Sequence, residues 1–527
     1  MNFLDTLDTG DTPQCDTERD LLRFRRQFFL GRRGQFSPSG WSQQRLDADR
    51  CIVAHPDLAV TQVRDGERAR ARTCTLIGFL LDPTRPQASD KDILRNLLAR
   101  HDTLEALVAA TSPLGGRWAM VLQDGARTVV CHDATGQRQV TYAQTADHGT
   151  VCASHAGLLA HVLALRPDPA ALDYIRSRGE SDFEVYWLPG DRTLYREARA
   201  LLPNHTLDLQ TGCAMRHWPV ADTPRPLPLP IAEATACSLA TLRGLFDAAR
   251  NRAPLAVSMT AGWDSRLMLA LSRPVRDQLY GFTLTYPHLS LASRDVAVPA
   301  RLLKQLGLQH HLIRYPDKID PEFKALFRQS TPSGSTAYCA DAQAMHAQYP
   351  QDRLCLTGDV AEIVKCHYRL PGVPDHTITP QQLAEVCRLE PHPLVLEALA
   401  EWRAGVPANS AIPLLDLFCW EQMAGRWQAQ IRAEYDIAQE SFAPLNCRTL
   451  LLTVLAIDEA QRQGPAYPFF RGLIEQLWPE VLGVPVNPPE TTSLKRRVLR
   501  ALGSTPLYRL IPRQVKDGAK RWLHVTT

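Results

Sequence analysis

The chain has 527 residues, 45% of them apolar and 22% charged, with a formal net charge of +3. That length fits about two or three domains with substantial cores, and so small a charge argues against a dedicated nucleic-acid binder. The 13 cysteines form no C-x-x-C pair, which sets aside zinc ribbons and redox dithiols; with no signal-peptide pattern and no apolar run near the roughly 18 residues of a membrane span, a cytoplasmic protein with reduced thiols and no membrane partner is expected.

Residues 1–215 read mainly as short strands. A helix is expected from Ser89 to Leu107, because Ile93, Leu97, Leu98 and Leu104 share one face and Ser89 suits an N-cap. Arg117–Leu122 and Thr128–Cys131 flank an Asp124-Gly125 turn and predict a hairpin. Asp133-Ala134-Thr135-Gly136 is a further turn, leading to Gln139–Tyr142. Many strands and few helices predict a layered α+β domain. Residues 216–234 read as an extended linker, with five prolines from Pro219 to Pro230. Apolar strands at Leu255–Met259, Leu279–Thr285, His311–Arg314 and Leu354–Thr357 then alternate with helical patterns, which predicts a parallel sheet covered on both faces. Beyond about residue 380 the pattern is helical, broken at Pro391-His392-Pro393, Pro444 and Pro488-Pro489.

The chemistry concentrates where the strand at 255–259 meets the next helix, at Thr260-Ala261-Gly262-Trp263-Asp264-Ser265. In a parallel sheet, ligands bind at the carboxyl ends of the strands. Small residues let backbone approach an anion, and the N–H groups opening a helix have no intrahelical partner. Asp264 would repel a bare phosphate and suits this place if a Mg²⁺ lies between it and the phosphate oxygens. The spacing is neither that of a Walker loop nor a G-x-G-x-x-G fingerprint. A plain strand–helix turn capped by Ser265 or Asp264 is the competing reading. His310-His311 reads as a strand start, since no third ligand is spaced with it.

The hexapeptide resembles the S-G-G-x-D-S loop of the asparagine synthetase superfamily, with Thr260, Ala261, Gly262, Asp264 and Ser265 in the matching places. The resemblance implies that Ser258, Thr260, Ala261, Gly262, Asp264, Ser265 and Arg266 surround the phosphates of ATP. It implies that Asp264 binds Mg²⁺ and that Thr283 and Leu284 lie against adenine. Asp295 stands in the acidic place that opens the following helix. The second signature, S-G-x-G-G-D-E, is matched by Thr357-Gly358-Asp359-Val360-Ala361-Glu362. Thr357 and Gly358 fit; Val360 and Ala361 replace glycines and remove backbone freedom; Glu362 stands for the second Mg²⁺ ligand. Asp359 occupies the place of the catalytic Tyr of the β-lactam-forming branch, whose Tyr–Glu chemistry is therefore not expected. Asp359 and Lys495 are the candidate catalytic residues, Lys495 by its similarity to the charge-stabilising lysine of ring-closing members. Lys495 opens a basic run to Arg521, which reads as a solvated tail or as a contact for an anion or acidic peptide. The segment Glu440–Leu451 is a loose match to the superfamily's E-x-R-x-P-F-L-D stretch.

Gly116–Asp124 and Asp133–Gly136 resemble the G-x-[FW]-A-x-V-x-x-D strand and D-x-x-G turn of class II glutamine amidotransferase domains, and Asp191–Tyr195 with Leu202–His205 resemble the inter-domain segment. A working glutaminase uses an N-terminal cysteine nucleophile; residue 2 is Asn and the first cysteine is Cys15, so this domain is expected to be inactive. The resemblance implies an α/β protein: an Ntn-hydrolase-type α+β sandwich over 1–215, a linker over 216–234, and over 235–527 a doubly wound parallel-sheet ATP-pyrophosphatase domain with a helical C-terminal part. It implies ATP and Mg²⁺ as cofactors and an AMP-forming carbon–nitrogen ligase, in which a substrate carboxylate is adenylated and an amine displaces AMP. The β-lactam synthetase and lasso-peptide macrolactam cyclase branches also lack the glutaminase nucleophile. They set the expectation of lactam or macrolactam formation on a carboxylate of peptide type, with biosynthetic partner proteins. The alternatives are asparagine synthesis from ammonia or glutamine, and a non-catalytic nucleotide-binding scaffold.

Overall fold

The computed structural model describes residues 21–66, 71–125, 127–177, 187–286 and 289–489. Two six-stranded antiparallel sheets occupy residues 28–216. One runs Ala198–Ala200, Thr141–Thr145, Gly149–Ala153, Phe28–Arg32, Arg50–Ala54, Ser42–Arg45; the other runs Ala214–Arg216, His205–Asp208, Arg127–His132, Gly115–Asp124, Arg72–Leu81, Val60–Asp65. Alternation along each strand sends every second side chain to one face. Phe28, Leu30, Ala119 and Val121 therefore meet Ile52, Ile77, Val130 and Leu207 in a core between the sheets. On the outer face of the second sheet, Leu76, Trp118, Met120 and Leu122 pack on two helices. On the outer face of the first, Phe29, Val151 and Ala153 join Leu158 and the core of the C-terminal half.

The expected helix 89–107 is two helices. Ser89 caps Asp90–Arg100 through a reciprocal capping box with Asp92, and Thr103 caps Leu104–Ala110 by accepting from the Ala106 N–H. A hydroxyl that competes for backbone N–H groups favours a new start over continuation. The linker is also shorter than expected, because Ile231–Arg250 is already helical directly after Pro230.

The C-terminal half is built on a five-stranded parallel sheet in the order His311–Arg314, Tyr280–Thr285, Leu255–Ser258, Leu354–Leu356, Ser441–Phe442. Leu255, Val257, Leu354 and Leu356 face one core; Ala256, Phe282, Ile313 and Cys355 face the other. Burial on both faces is why the inner strands Leu255–Ser258 and Leu354–Leu356 read as apolar runs. The chain winds outward from Leu255–Ser258 and then returns to its other side with Leu354–Leu356. The topological switch, where ligands bind, therefore lies between these two strands, and the loops 260–265 and 357–362 leave their carboxyl ends.

The halves are joined by buried charge. Arg117 and Arg138 reach from the sandwich to Asp436 and Glu440: Arg117 donates to Asp436 (2.9 Å) and Glu440 (2.8 Å), and Arg138 to Glu440 (2.9 Å). Glu440 directly precedes the edge strand Ser441–Phe442. Among the described residues no helix is long and apolar enough to cross a membrane.

Candidate functional site

Gly262 (φ −80°, ψ 170°) opens the helix Trp263–Leu271, and no side chain caps it. The first amides of this helix are thus presented at the switch point. Ser265 does not cap the helix but knits the loop: its Oγ accepts from the Thr260 N–H (3.2 Å) and its hydroxyl donates to the Thr260 carbonyl (3.1 Å). Thr260 Oγ1 accepts from the Gly262 N–H (3.2 Å), and Asp295 accepts from the Ala261 N–H (3.1 Å). Asn487 closes over the loop, its N–H donating to the Ala261 carbonyl at 3.0 Å.

The second loop lies directly against the first. A Cβ on Gly358 would stand 2.5 Å from Asp264 Cβ, so the contact requires glycine. Two residues on, Val360 sits in the left-handed region (φ 74°, ψ −15°) and is fully buried. That conformation costs an L residue about 1–2 kcal/mol, and it is rare for a β-branched side chain. Val360 thus holds, under strain, a conformation that favours glycine. The strain is held by Gln428, whose Oε1 accepts from the Val360 N–H (2.9 Å) while its Nε2 donates to Glu362 (2.7 Å). Gln428 ends a π-helical stretch, Cys419–Gln428, a form often found at functional sites.

Asp264 and Glu362 are brought together, with a third residue between them. Lys365 Nζ lies 2.8 Å from each Asp264 carboxylate oxygen and 3.8 Å from Glu362 Oε1. Burial opposes the ammonium, but Asp264 and Glu362 outweigh it and raise the Lys365 pKa. Burial also pushes the Asp264 and Glu362 carboxyls up, with Lys365 pulling them back. A Mg²⁺ on Asp264 would sit about 2 Å from a carboxylate oxygen and hence within about 5 Å of Lys365 Nζ. The repulsion at that separation is about 7 kcal/mol at an effective dielectric of 20. Lys365 thus stands between the two carboxylates, at the place where the resemblance implies the metal. Among the described residues no group of three or more His, Cys, Asp or Glu is placed to hold a metal ion.

The other expected site residues fall into four groups. Arg266 departs from expectation. It is completely buried, and its guanidinium donates to the carbonyls of Val481 (2.8 Å), Val484 (2.6 Å) and Pro485 (3.0 Å) rather than facing the phosphate loop. Burial lowers its pKa to about 10. Ser258, Thr283 and Leu284 lie in the central strands. Thr283 Oγ1 donates to the Met259 carbonyl (2.9 Å) and lies 2.9 Å from His310 Nε2, and Leu284 pairs opposite Ile313. His311 stacks on Tyr280 at 4.2 Å. Asp359 accepts from the Thr357 hydroxyl (3.0 Å) and pairs with Arg432 (3.0 Å). Arg432 in turn lies over the ring of Tyr435, whose hydroxyl donates to Asp341 (2.8 Å). Burial pushes Asp341 up to about 7 and Glu434 up to about 8. Lys495, its basic run and Cys15 lie outside the described residues.

Lys365, Gln428 and Arg432 were not legible as site residues. Lys365 carried one local signal, its i+3 spacing from Glu362 on a helical turn. Gln428 lies 66 residues from Glu362, and no local pattern links them. In the sandwich, Cys51, Cys74, Cys131 and Cys152 are buried, and burial raises each thiol.

No family model and no curated protein matches the chain. Among solved structures, NMN synthetase from Francisella tularensis is similar at 15% identity, over 33% of this chain and 94% of its own, with a TM-score of 0.19. Glutamine-dependent NAD+ synthetase from Acinetobacter baumannii is similar at 15% identity, over 46% of this chain and 53% of its own, with a TM-score of 0.20. Glutamine phosphoribosylpyrophosphate amidotransferase from B. subtilis is similar at 11% identity, over 66% of this chain and 73% of its own, with a TM-score of 0.24. At these identities and scores the likenesses assign no activity to the chain.

Proposed function

We propose that the chain is an ATP-dependent ligase that activates a substrate carboxylate as its adenylate and joins it to an amine. The observation that carries this reading is the meeting of two motif loops at the switch point of a parallel sheet. There Gly358 touches Asp264 and Val360 is held in a strained, glycine-like conformation. Strain of this kind persists where surrounding structure over-determines it, and it clusters at functional sites.

The uncapped amides at the start of Trp263–Leu271 and the Lys365 ammonium would receive the phosphates. A carboxylate oxygen of the substrate bonds to the α-phosphorus as the bond from that phosphorus to the bridging oxygen breaks, and pyrophosphate leaves. An amine nitrogen then bonds to the acyl carbon, the acyl–oxygen bond breaks, AMP leaves, and the nitrogen's extra proton passes to solvent. Asp359, mostly buried on the second loop and paired with Arg432, would be the carboxylate that orients that amine. Among the described thiols of the sandwich, Cys51, Cys74, Cys131 and Cys152 are buried, which disfavours the reactive thiolate, and the exposed Cys213 lies mid-chain without an N-terminal amine to act as its base. This supports an amine carried by the substrate, and so lactam or macrolactam formation on a peptide, with the basic run after Lys495 as a peptide contact. The Lys365 bridge favours one second reading, a scaffold that binds nucleotide without turnover.

The test is ATP–pyrophosphate exchange on the whole protein against a panel of carboxylates and candidate peptides, with Asp264→Ala as control. Carboxylate-dependent exchange that disappears in the variant supports adenylation. ATP binding with no exchange for any carboxylate would overturn it in favour of the scaffold.

A further inference from the structure

We infer that Lys365 is the resident cation of this site: it holds Asp264 and Glu362 together in place of a divalent ion, so that a nucleoside triphosphate binds without a metal ligated by these carboxylates. The inference rests on the reading of the two loops as a nucleotide site.

Three observations support it. The position is fixed by the backbone: Lys365 follows Glu362 by one helical turn, its N–H donates to the Ala361 carbonyl at 2.8 Å, and the chain then turns sharply at Cys366 (φ 50°). The carboxylates are held in place: Asp264 Oδ2 accepts from Nζ at 2.8 Å, Asp264 Oδ1 lies at the same distance without a hydrogen bond, and Glu362 Oε2 accepts from Gln428 at 2.7 Å. Octahedral magnesium at about 2.0–2.1 Å needs oxygens free to turn toward it. Finally, the ammonium keeps capacity for a ligand. It has three N–H donors, and at 3.8 Å from Glu362 it forms an ion pair without a hydrogen bond. At least one N–H therefore remains for a phosphate oxygen. The triad is not sealed either, with side-chain exposures of 30% for Asp264 and 14% for Lys365.

A lysine differs from magnesium in what it leaves behind. Two carboxylates and one ammonium sum to −1, whereas two carboxylates and Mg²⁺ sum to zero. On this inference a metal accompanying the nucleotide is carried by its phosphates and water, because Lys365 occupies the place between Asp264 and Glu362.

The experiment has two arms on the full chain: ATP binding by calorimetry in EDTA and in Mg²⁺, and Mn²⁺ binding by EPR without nucleotide. The wild type should bind ATP within about threefold in the two buffers and show no Mn²⁺ site at these carboxylates. Lys365→Met should lose at least tenfold in ATP affinity in EDTA, regain it with Mg²⁺, and gain a Mn²⁺ site that Glu362→Gln then removes. Lys365→Arg, which keeps the charge, should bind ATP in EDTA as the wild type does. A wild-type Mn²⁺ signal abolished by Glu362→Gln, or ATP binding that needs Mg²⁺ while Lys365→Met changes nothing, would overturn the inference. Failure of ATP to bind in either buffer would instead overturn the nucleotide-site reading, and the Mn²⁺ arm would still decide whether Lys365 excludes metal.

Discussion

Gly358→Ala isolates the contact between the two loops. The new methyl would lie 2.5 Å from Asp264 Cβ, and 3.2 and 3.3 Å from Asp264 backbone atoms. Neither partner is the free end of a flexible side chain, so relief requires the loops to separate by about 1 Å, the shortfall from ordinary van der Waals contact at 3.4 Å. Overpacking of this size costs about 1–3 kcal/mol. The movement carries Asp264 away from Lys365 and shifts the first amides of Trp263–Leu271 relative to Glu362. A displacement of about 1 Å at a reacting centre can cost on the order of 100-fold in rate. Thermal unfolding should therefore show a modest loss of stability, and ATP–pyrophosphate exchange a fall of roughly two orders of magnitude. An alanine variant with wild-type exchange and wild-type melting would refute the claim that these loops form one site.

Three further expectations follow from buried polar groups. Gln428→Ala removes the acceptor of the Val360 N–H and the donor to Glu362; a buried group left unpaired costs about 1–3 kcal/mol, to be read as a lower unfolding midpoint. Asp436→Ala leaves Arg117 and Arg138 with Glu440 as their one carboxylate partner among the described residues, and breaking a buried ion pair costs about 3–5 kcal/mol. The sandwich should then be released faster in limited proteolysis. Asp341 titrates near 7 when folded, above the ordinary carboxyl value of about 3.9. Its contribution to stability is thus fully present below about pH 4 and is lost as pH rises through about 7. Three units correspond to about 4 kcal/mol. Asp341→Asn, which stays neutral and still accepts from Tyr435, should flatten the fall in stability between about pH 4 and 7 in a series of thermal melts.

The inner strands Leu255–Ser258 and Leu354–Leu356 were legible because burial on both faces leaves no alternation to dilute their apolar runs. The loops were legible because strand ends that approach an anion need small residues, and small residues between apolar runs stand out. The fifth strand, Ser441–Phe442, is two residues long, too short to carry a period. The break at His101–Thr103 was missed because four apolar positions on one face say nothing of a hydroxyl that restarts the helix. Local sequence thus determined where a site lies and which residue types crowd it. What fills its centre was decided only by tertiary structure. Lys365 meets Asp264 across 101 residues, Gln428 imposes strain on Val360 from a different helix, and Arg266 turns away to three carbonyls of a distant turn. The physical reason is that a charged side chain goes to whichever partners its burial leaves within reach, and those partners are set by packing rather than by neighbours in the chain.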